Sequence, residues 1–245
     1  MAEQAGYLDL SAIAPRVAGK QGADRMFIVG RSGSGKSFLA RSLLDLYDDK
    51  ERTPAAFRAR VCVFDPNGTF DYEGRIVHSP EQVEPSRQHP VVIYRPTVAH
   101  LDADSWNLAL KTLFYSRHRL LLDIDEFTAL DQLFGNRRIE GGNYLTAYMS
   151  RGRALGKAAI IVTQAPSSIP LTVIRNAERF AVFDLPLQDD RERMTGVIGR
   201  YATETDQRTG EVKQVDIRDR RALGKFQFWY TGPGIDEPVR IKVKE

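Results

Sequence analysis

Apolar positions along this chain fall in short, dense runs separated by longer stretches with helical spacing. Six such runs, at 25–29, 60–64, 90–94, 119–124, 158–163 and 180–184, predict strands buried on both faces. The stretch 38–47 and the stretch 102–115 carry apolar residues at helical intervals, the second with Trp106, Leu110, Leu113 and Phe114 on one stripe. Strands alternating with helices predict a mostly parallel sheet with helices on both faces, an α/β fold. The tail reads differently. Residues 224–230 and 239–244 alternate apolar with polar around Thr231-Gly232-Pro233-Gly234, which predicts an antiparallel hairpin added to the sheet. No internal repeat or low-complexity tract interrupts this order.

The first strand runs directly into Gly30-Arg31-Ser32-Gly33-Ser34-Gly35-Lys36-Ser37, which fills the P-loop pattern G-x-x-x-x-G-K-[ST]. Such a loop turns backbone N–H groups onto a polyphosphate, and the helix after it adds its own N-terminal N–H groups and dipole. Lys36 is expected to reach the β- and γ-phosphates and the Ser37 hydroxyl to ligate Mg²⁺, with Phe38 completing the nucleotide-binding set. A strand before the loop and a helix after it satisfy the structural context that the motif requires.

The run at 119–124 ends in Asp123-Ile124-Asp125-Glu126, an apolar strand closed by an acidic pair, the Walker B pattern. A buried strand carries these carboxylates to the sheet edge that holds the P-loop. Asp125 is expected to hold Mg²⁺ near Ser37, and Glu126 to act as general base on the attacking water. Asp123, two residues earlier on the same strand face, is either a partner behind Asp125 or an alternative metal contact. Gln164 closes the next strand; it is either a sensor between these carboxylates and the γ-phosphate or an amide satisfied by its own loop. No Asn/Thr-Lys-x-Asp motif for reading guanine is present, which favours ATP over GTP.

Composition adds limits. Hydrophobic residues make up 42% of the chain and charged residues 27%, ordinary for a globular protein. A net charge of +3 permits a local basic surface without demanding nucleic acid. The single cysteine, Cys62, sits in an apolar run, which excludes an internal disulfide and predicts a buried core position. No stretch has the length of a membrane span, so the chain reads as cytoplasmic and soluble. Residues 1–20 read as an N-terminal arm, with Tyr7, Leu8, Leu10 and Ile13 as anchors, and 21–245 as a single nucleotide-binding domain.

Taken in order, these pieces resemble the FtsK–HerA superfamily of ring-forming, DNA-pumping ATPases. Asp65-Pro66-Asn67-Gly68 resembles that group's Asp-Pro-x-Gly turn. Arg151-Gly152-Arg153-Ala154-Leu155-Gly156-Lys157 resembles its Gly-Arg-x-x-Gly approach to the sensor strand, and Thr163-Gln164-Ala165-Pro166 its Thr-Gln-x-Pro motif. Leu223-Gly224-Lys225-Phe226 resembles the end of its core. Small size and few added domains look most like the genome-packaging ATPases of membrane-containing, tailless icosahedral viruses.

The resemblance implies a RecA-like core and a homo-oligomeric ring, a hexamer by preference, with ATP sites between subunits. It implies a double-stranded DNA substrate, capsid or portal-vertex partners, and association with the virion at a packaging vertex. It also implies an arginine supplied by a neighbouring subunit. Arg153 is the first candidate by position, Arg151 the next, with Arg175 and Arg179 behind. The polar stretch 134–143, with Arg137 and Arg138, is the preferred DNA-gripping pore loop, against the alternative of a plain surface loop. Rival readings are a HerA-like or conjugation-type translocase, a filamentous-phage assembly ATPase, a non-motor P-loop module, and a small-molecule kinase.

Overall fold

The computed structural model describes residues 9–18, 22–127, 143–205 and 209–242. The predicted runs become strands β1 (Arg25–Val29), β2 (Arg60–Phe64), β4 (Val91–Tyr94), β5 (Leu120–Ile124), β6 (Lys157–Thr163) and β7 (Arg179–Val182). They are parallel to one another, and the tail adds an antiparallel hairpin, β10 (Gln227–Thr231) and β11 (Val239–Lys242), through pairing of β10 with β7. With an edge strand β3 (Arg75–Val77), the order across the sheet is β11-β10-β7-β1-β6-β5-β2-β4-β3. The P-loop strand β1 thus lies between β6 and β7, and β6 separates it from the acidic strand β5.

Strand alternation divides the core into two faces. Met26, Ile28, Val61, Val63, Ile160 and Val162 pack under the short helix α1 (Leu10–Ile13) and the P-loop helix α2 (Lys36–Leu44). Phe27, Val29, Phe64, Leu122 and Ile161 point the other way. That face is covered by α3 (Ala103–Tyr115), α4 (Tyr144–Arg151), α5 (Leu171–Arg175) and α6 (Gln188–Ile198). Asp102 caps α3 by accepting from the Ser105 N–H at 2.8 Å. Trp106 on that helix is fully buried among Phe64 and Tyr94, with ring centroids 5.0 and 5.3 Å away. Cys62 is a buried thiol on this face, as expected, and burial pushes it well above the usual thiol range. Leu10 and Ile13 pack against the body, whereas Tyr7 and Leu8 lie outside the described residues.

Several elements depart from the sequence expectation. β3 was not predicted, because three residues with two exposed carry no periodicity. A separate ribbon of β8 (Tyr201–Thr205) and β9 (Val212–Asp216) was missed for the same reason, since its polar positions dominate. α4 and α6 were also missed; α6 is hydrophilic along most of its length and buries only Asp190, Met194 and Ile198. The first tail strand begins at Gln227 rather than 224, because Phe226 adopts φ 59° and breaks the extended chain.

The two edges of the sheet are charged oppositely. β1, β2, β6 and β7 each open on a buried cation, Arg25, Arg60, Lys157 and Arg179. Arg25 donates to the carbonyls of Ala23 and Tyr148, and Lys157 to those of Ser116 and His118. At the other edge, where the parallel strands end, stand Asp65, Asp125, Glu126, Gln164 and Asp184. Among the described residues, no helix is long and apolar enough to cross a membrane.

Candidate nucleotide-binding site

The P-loop leaves the C-terminal end of β1 at the point where the strand order reverses, a crevice that open α/β sheets use for ligands. Gly30 must lack a side chain there: a Cβ would stand 2.5 Å from that of Phe183. Gly35, at φ 108°, caps the N-terminus of α2, and a Cβ on it would meet the Phe226 ring at 2.6 Å. Lys36 is buried and donates across the loop to the Arg31 carbonyl at 2.9 Å. Burial lowers its ammonium pKa, against the pull of Glu126 and Asp125. The Ser34 hydroxyl is buried inside the loop without a protein partner, as a group waiting on phosphate oxygens would be.

The second part arrives on β5. Ser37 Oγ donates to Asp125 Oδ1 at 3.2 Å, joining the P-loop helix to the acidic strand. Burial pushes the Asp125 carboxyl up to about 6; the Ser37 hydrogen bond works in the opposite direction. Glu126 leaves the strand with φ 63°, a backbone state that a non-glycine residue adopts only where its surroundings hold it. Gln164, at the end of β6, donates from Nε2 to Glu126 Oε2 at 2.6 Å, while Glu126 Oε1 is buried and unpartnered. The Phe127 N–H donates to the Val162 carbonyl at 2.7 Å, which ties the turn at the end of β5 to β6. Asp123 is fully buried on the α2 face, beside Val63 and Ile160 in the sheet, with both oxygens unpartnered. Burial raises its pKa well above the carboxylate range, which suits a partner behind Asp125 rather than a metal contact.

Oxygen donors of this kind suit Mg²⁺. That ion takes one or two protein carboxylates or hydroxyls and draws its remaining ligands from phosphates and water. Ser37 and Asp125 provide such a pair. Among the described residues no group of three or more His, Cys, Asp and Glu side chains forms a separate cage.

The motifs around this centre have clear local roles. Asp65 accepts from the N–H groups of Thr69 and Phe70 and from Arg95 Nε at 2.7 Å, closing the Asp-Pro-Asn-Gly turn beside Asp125. The Ser167 N–H donates to buried Asp190 at 2.9 Å, tying the loop after Gln164 to α6. Arg153 stands at the opposite, cation-lined edge of the sheet, paired with Glu178, which also receives the Arg25 N–H at 2.7 Å. Arg151 and Arg175 are exposed. Arg179 is buried and held by Asp24 and by the Tyr230 hydroxyl, which leaves it little to offer a neighbour. Arg137 and Arg138, with the stretch 134–142, lie outside the described residues.

A brace on the other flank of the P-loop escaped the sequence reading. Asp184 accepts from Arg31 at 3.0 Å and takes two bonds from Arg220, at 2.8 and 3.0 Å. These contacts tie the loop to the segment before β10. The available signal was an acid closing the apolar run at 180–184; its partners, far apart in sequence, carried none.

Solved structures share this architecture. The DNA-packaging ATPase B204 from Sulfolobus Turreted Icosahedral Virus matches with a TM-score of 0.58 at 15% identity, over 91% of this chain and 98% of that one. The genome packaging NTPase B204 from Sulfolobus turreted icosahedral virus 2, in complex with AMPPCP, matches with a TM-score of 0.62 at 16% identity, over 91% and 98%. The chain has the fold of the packaging ATPases. At these identities the likeness is one of fold: a RecA-like P-loop core with an antiparallel C-terminal hairpin. The bacterial conjugative coupling protein TrwB shares it too, with a TM-score of 0.59 at 11% identity, over 90% of this chain and 84% of that one. No family model matches the chain, and no curated relative matches its sequence.

Proposed function

We propose that this protein is an ATP-hydrolysing translocase that packages double-stranded viral DNA into a preformed capsid, acting as a homo-oligomeric ring. The observation that carries the reading is the convergence of Lys36, Ser37, Asp125, Glu126 and Gln164 at one sheet edge, in the fold of proteins described as packaging ATPases. Ser37 and Asp125 would hold Mg²⁺, which when bound neutralises phosphate charge. Lys36 binds the β- and γ-phosphates. Glu126 orients and deprotonates the attacking water, and Gln164 fixes where its carboxylate points. Arg153, paired with Glu178 at the far edge of the sheet, would serve the site of a neighbouring subunit rather than its own. The setting would be the host cytoplasm and the packaging vertex of the virion.

The similarity to TrwB supports a second reading, a conjugation-type DNA translocase, with the same chemistry and a different partner. Steady-state ATP hydrolysis over a range of protein concentrations, with and without long double-stranded DNA, tests the motor reading. Turnover that rises with both DNA and protein concentration is the expected result. Turnover indifferent to both would replace the motor with a monomeric P-loop enzyme or a nucleotide switch.

A further inference from the structure

Topology fixes the direction in which a nucleotide would lie. The carboxylates and Gln164 come from β5 and β6, on one side of β1. A polyphosphate laid along the P-loop with its γ end toward them directs its nucleoside end to the other side, over β7 and β10. That flank holds an aromatic residue in an unusual position. Phe226 has φ 59°, in the left-handed region that bulky side chains avoid. Its ring presses on Gly35 at the start of the P-loop helix and meets Phe38 edge-on, with centroids 5.9 Å apart. Both rings are only half-buried. The Lys225 ammonium lies 4.8 Å from the Phe226 ring centroid. The Asp184 brace holds Arg220, six residues earlier, to Arg31 of the P-loop, and a narrow cleft lined by Phe183, Asp184, Arg220 and Leu223 opens beside it.

We infer that Phe226 is the platform on which the base of the bound nucleoside triphosphate stacks, on the ring face opposite the Lys225 ammonium and with Phe38 flanking it. The inference rests on the nucleotide-site reading above and deepens it by naming the base contact. A residue kept in a disfavoured backbone state belongs where position matters more than local stability. A ring that served only to fill the core would be buried, and a core filler needs no positive φ. Stacking on a π-face tolerates any purine, so Phe226 contributes affinity for a base without reading its edges.

The test compares ATP with inorganic tripolyphosphate, which has the phosphates and lacks the base, by calorimetric titration with Mg²⁺ present. Phe226→Leu keeps apolar packing against Gly35 and removes the aromatic face. The expected result is about a ten- to fiftyfold rise in the Kd for ATP with the tripolyphosphate Kd unchanged within twofold. In a second variant, Phe226→Trp, ATP is expected to quench the fluorescence added at that position while tripolyphosphate leaves it unchanged. Equal weakening of both ligands would assign Phe226 to propping the P-loop and overturn the inference, as would no weakening of either. A wild-type protein that binds neither ligand would instead overturn the nucleotide site itself, a separate failure.

Discussion

The amide of Gln164 donates to the carboxylate of Glu126 at 2.6 Å, joining the ends of two adjacent parallel strands across the centre of the site. One carboxylate oxygen is thereby committed, and the other is buried with no protein partner. The proposed general base needs an oxygen free to face water and a neighbour that holds the carboxylate in place, and in the proposed mechanism this pair would supply both. Glu126→Gln is expected to leave ATP affinity within about twofold and to lower kcat by at least about a hundredfold. Gln164→Ala is expected to lower kcat by about tenfold or more with KM little changed, because Glu126 remains but is no longer fixed. Unchanged kcat in the first variant removes Glu126 from the base role.

In the proposed mechanism Lys36 and Ser37 act earlier, on binding. The buried ammonium of Lys36 is held by a backbone carbonyl of its own loop, a weak partner compared with a phosphate. Lys36→Ala is therefore expected to raise the Kd for ATP by about a hundredfold or more in calorimetric titration. Ser37→Ala should weaken binding mainly when Mg²⁺ is present, so titrations with and without the ion separate the two roles. Retained hydrolysis in Lys36→Ala would contradict the P-loop assignment.

Arg153 lies at the sheet edge remote from its own P-loop and pairs with Glu178. If it completes a neighbour's site, a subunit with Arg153→Ala still has an intact nucleotide pocket, and one with Glu126→Gln still has an intact arginine. Neither variant alone is expected to turn over ATP appreciably, whereas their mixture should recover activity from the mixed interfaces. A mixture as inactive as its components, with both variants folded and oligomeric, would return Arg153 to a structural role with Arg25 and Glu178.

Lys157 opens β6 with its ammonium buried on the Ser116 and His118 carbonyls, and burial pulls its pKa down to about 8. Its unfolded value is near 10.4. Between these values the unfolded chain binds the extra proton, so stability is expected to rise with pH from about 8 to 9.5, by on the order of 1 kcal/mol. Above that window the buried phenols of Tyr47 and Tyr148, whose pKa values burial raises, oppose the trend because unfolding lets them ionise. Thermal melts across this range check the slope, and Lys157→Met should abolish it.

What the amino-acid sequence determined by itself was whatever depends on contiguous residues. The buried runs at 60–64 and 119–124 became β2 and β5 within a residue, because a strand buried on both faces needs unbroken apolar sequence and little else does. The P-loop was equally legible, since eight consecutive residues specify it and Gly30, Gly33 and Gly35 take the positive φ that the loop's turn requires. Elements held by sparse tertiary contacts were not: α6 presents Asp190, Met194 and Ile198 inward from a hydrophilic helix, and β3 and the β8–β9 ribbon are too short or too polar for periodicity to register.

Only the tertiary structure decided which motifs meet. Ser37 with Asp125, Glu126 with Gln164, and Arg31 with Asp184 and Arg220 are brought together by strand order across the sheet, a long-range packing outcome with no local signature. It also decided that Arg179 is a buried partner of Asp24 and that Asp123 lies out of solvent under the site. Burial and partner choice are set by what packs against a residue, and neighbours in sequence do not report that.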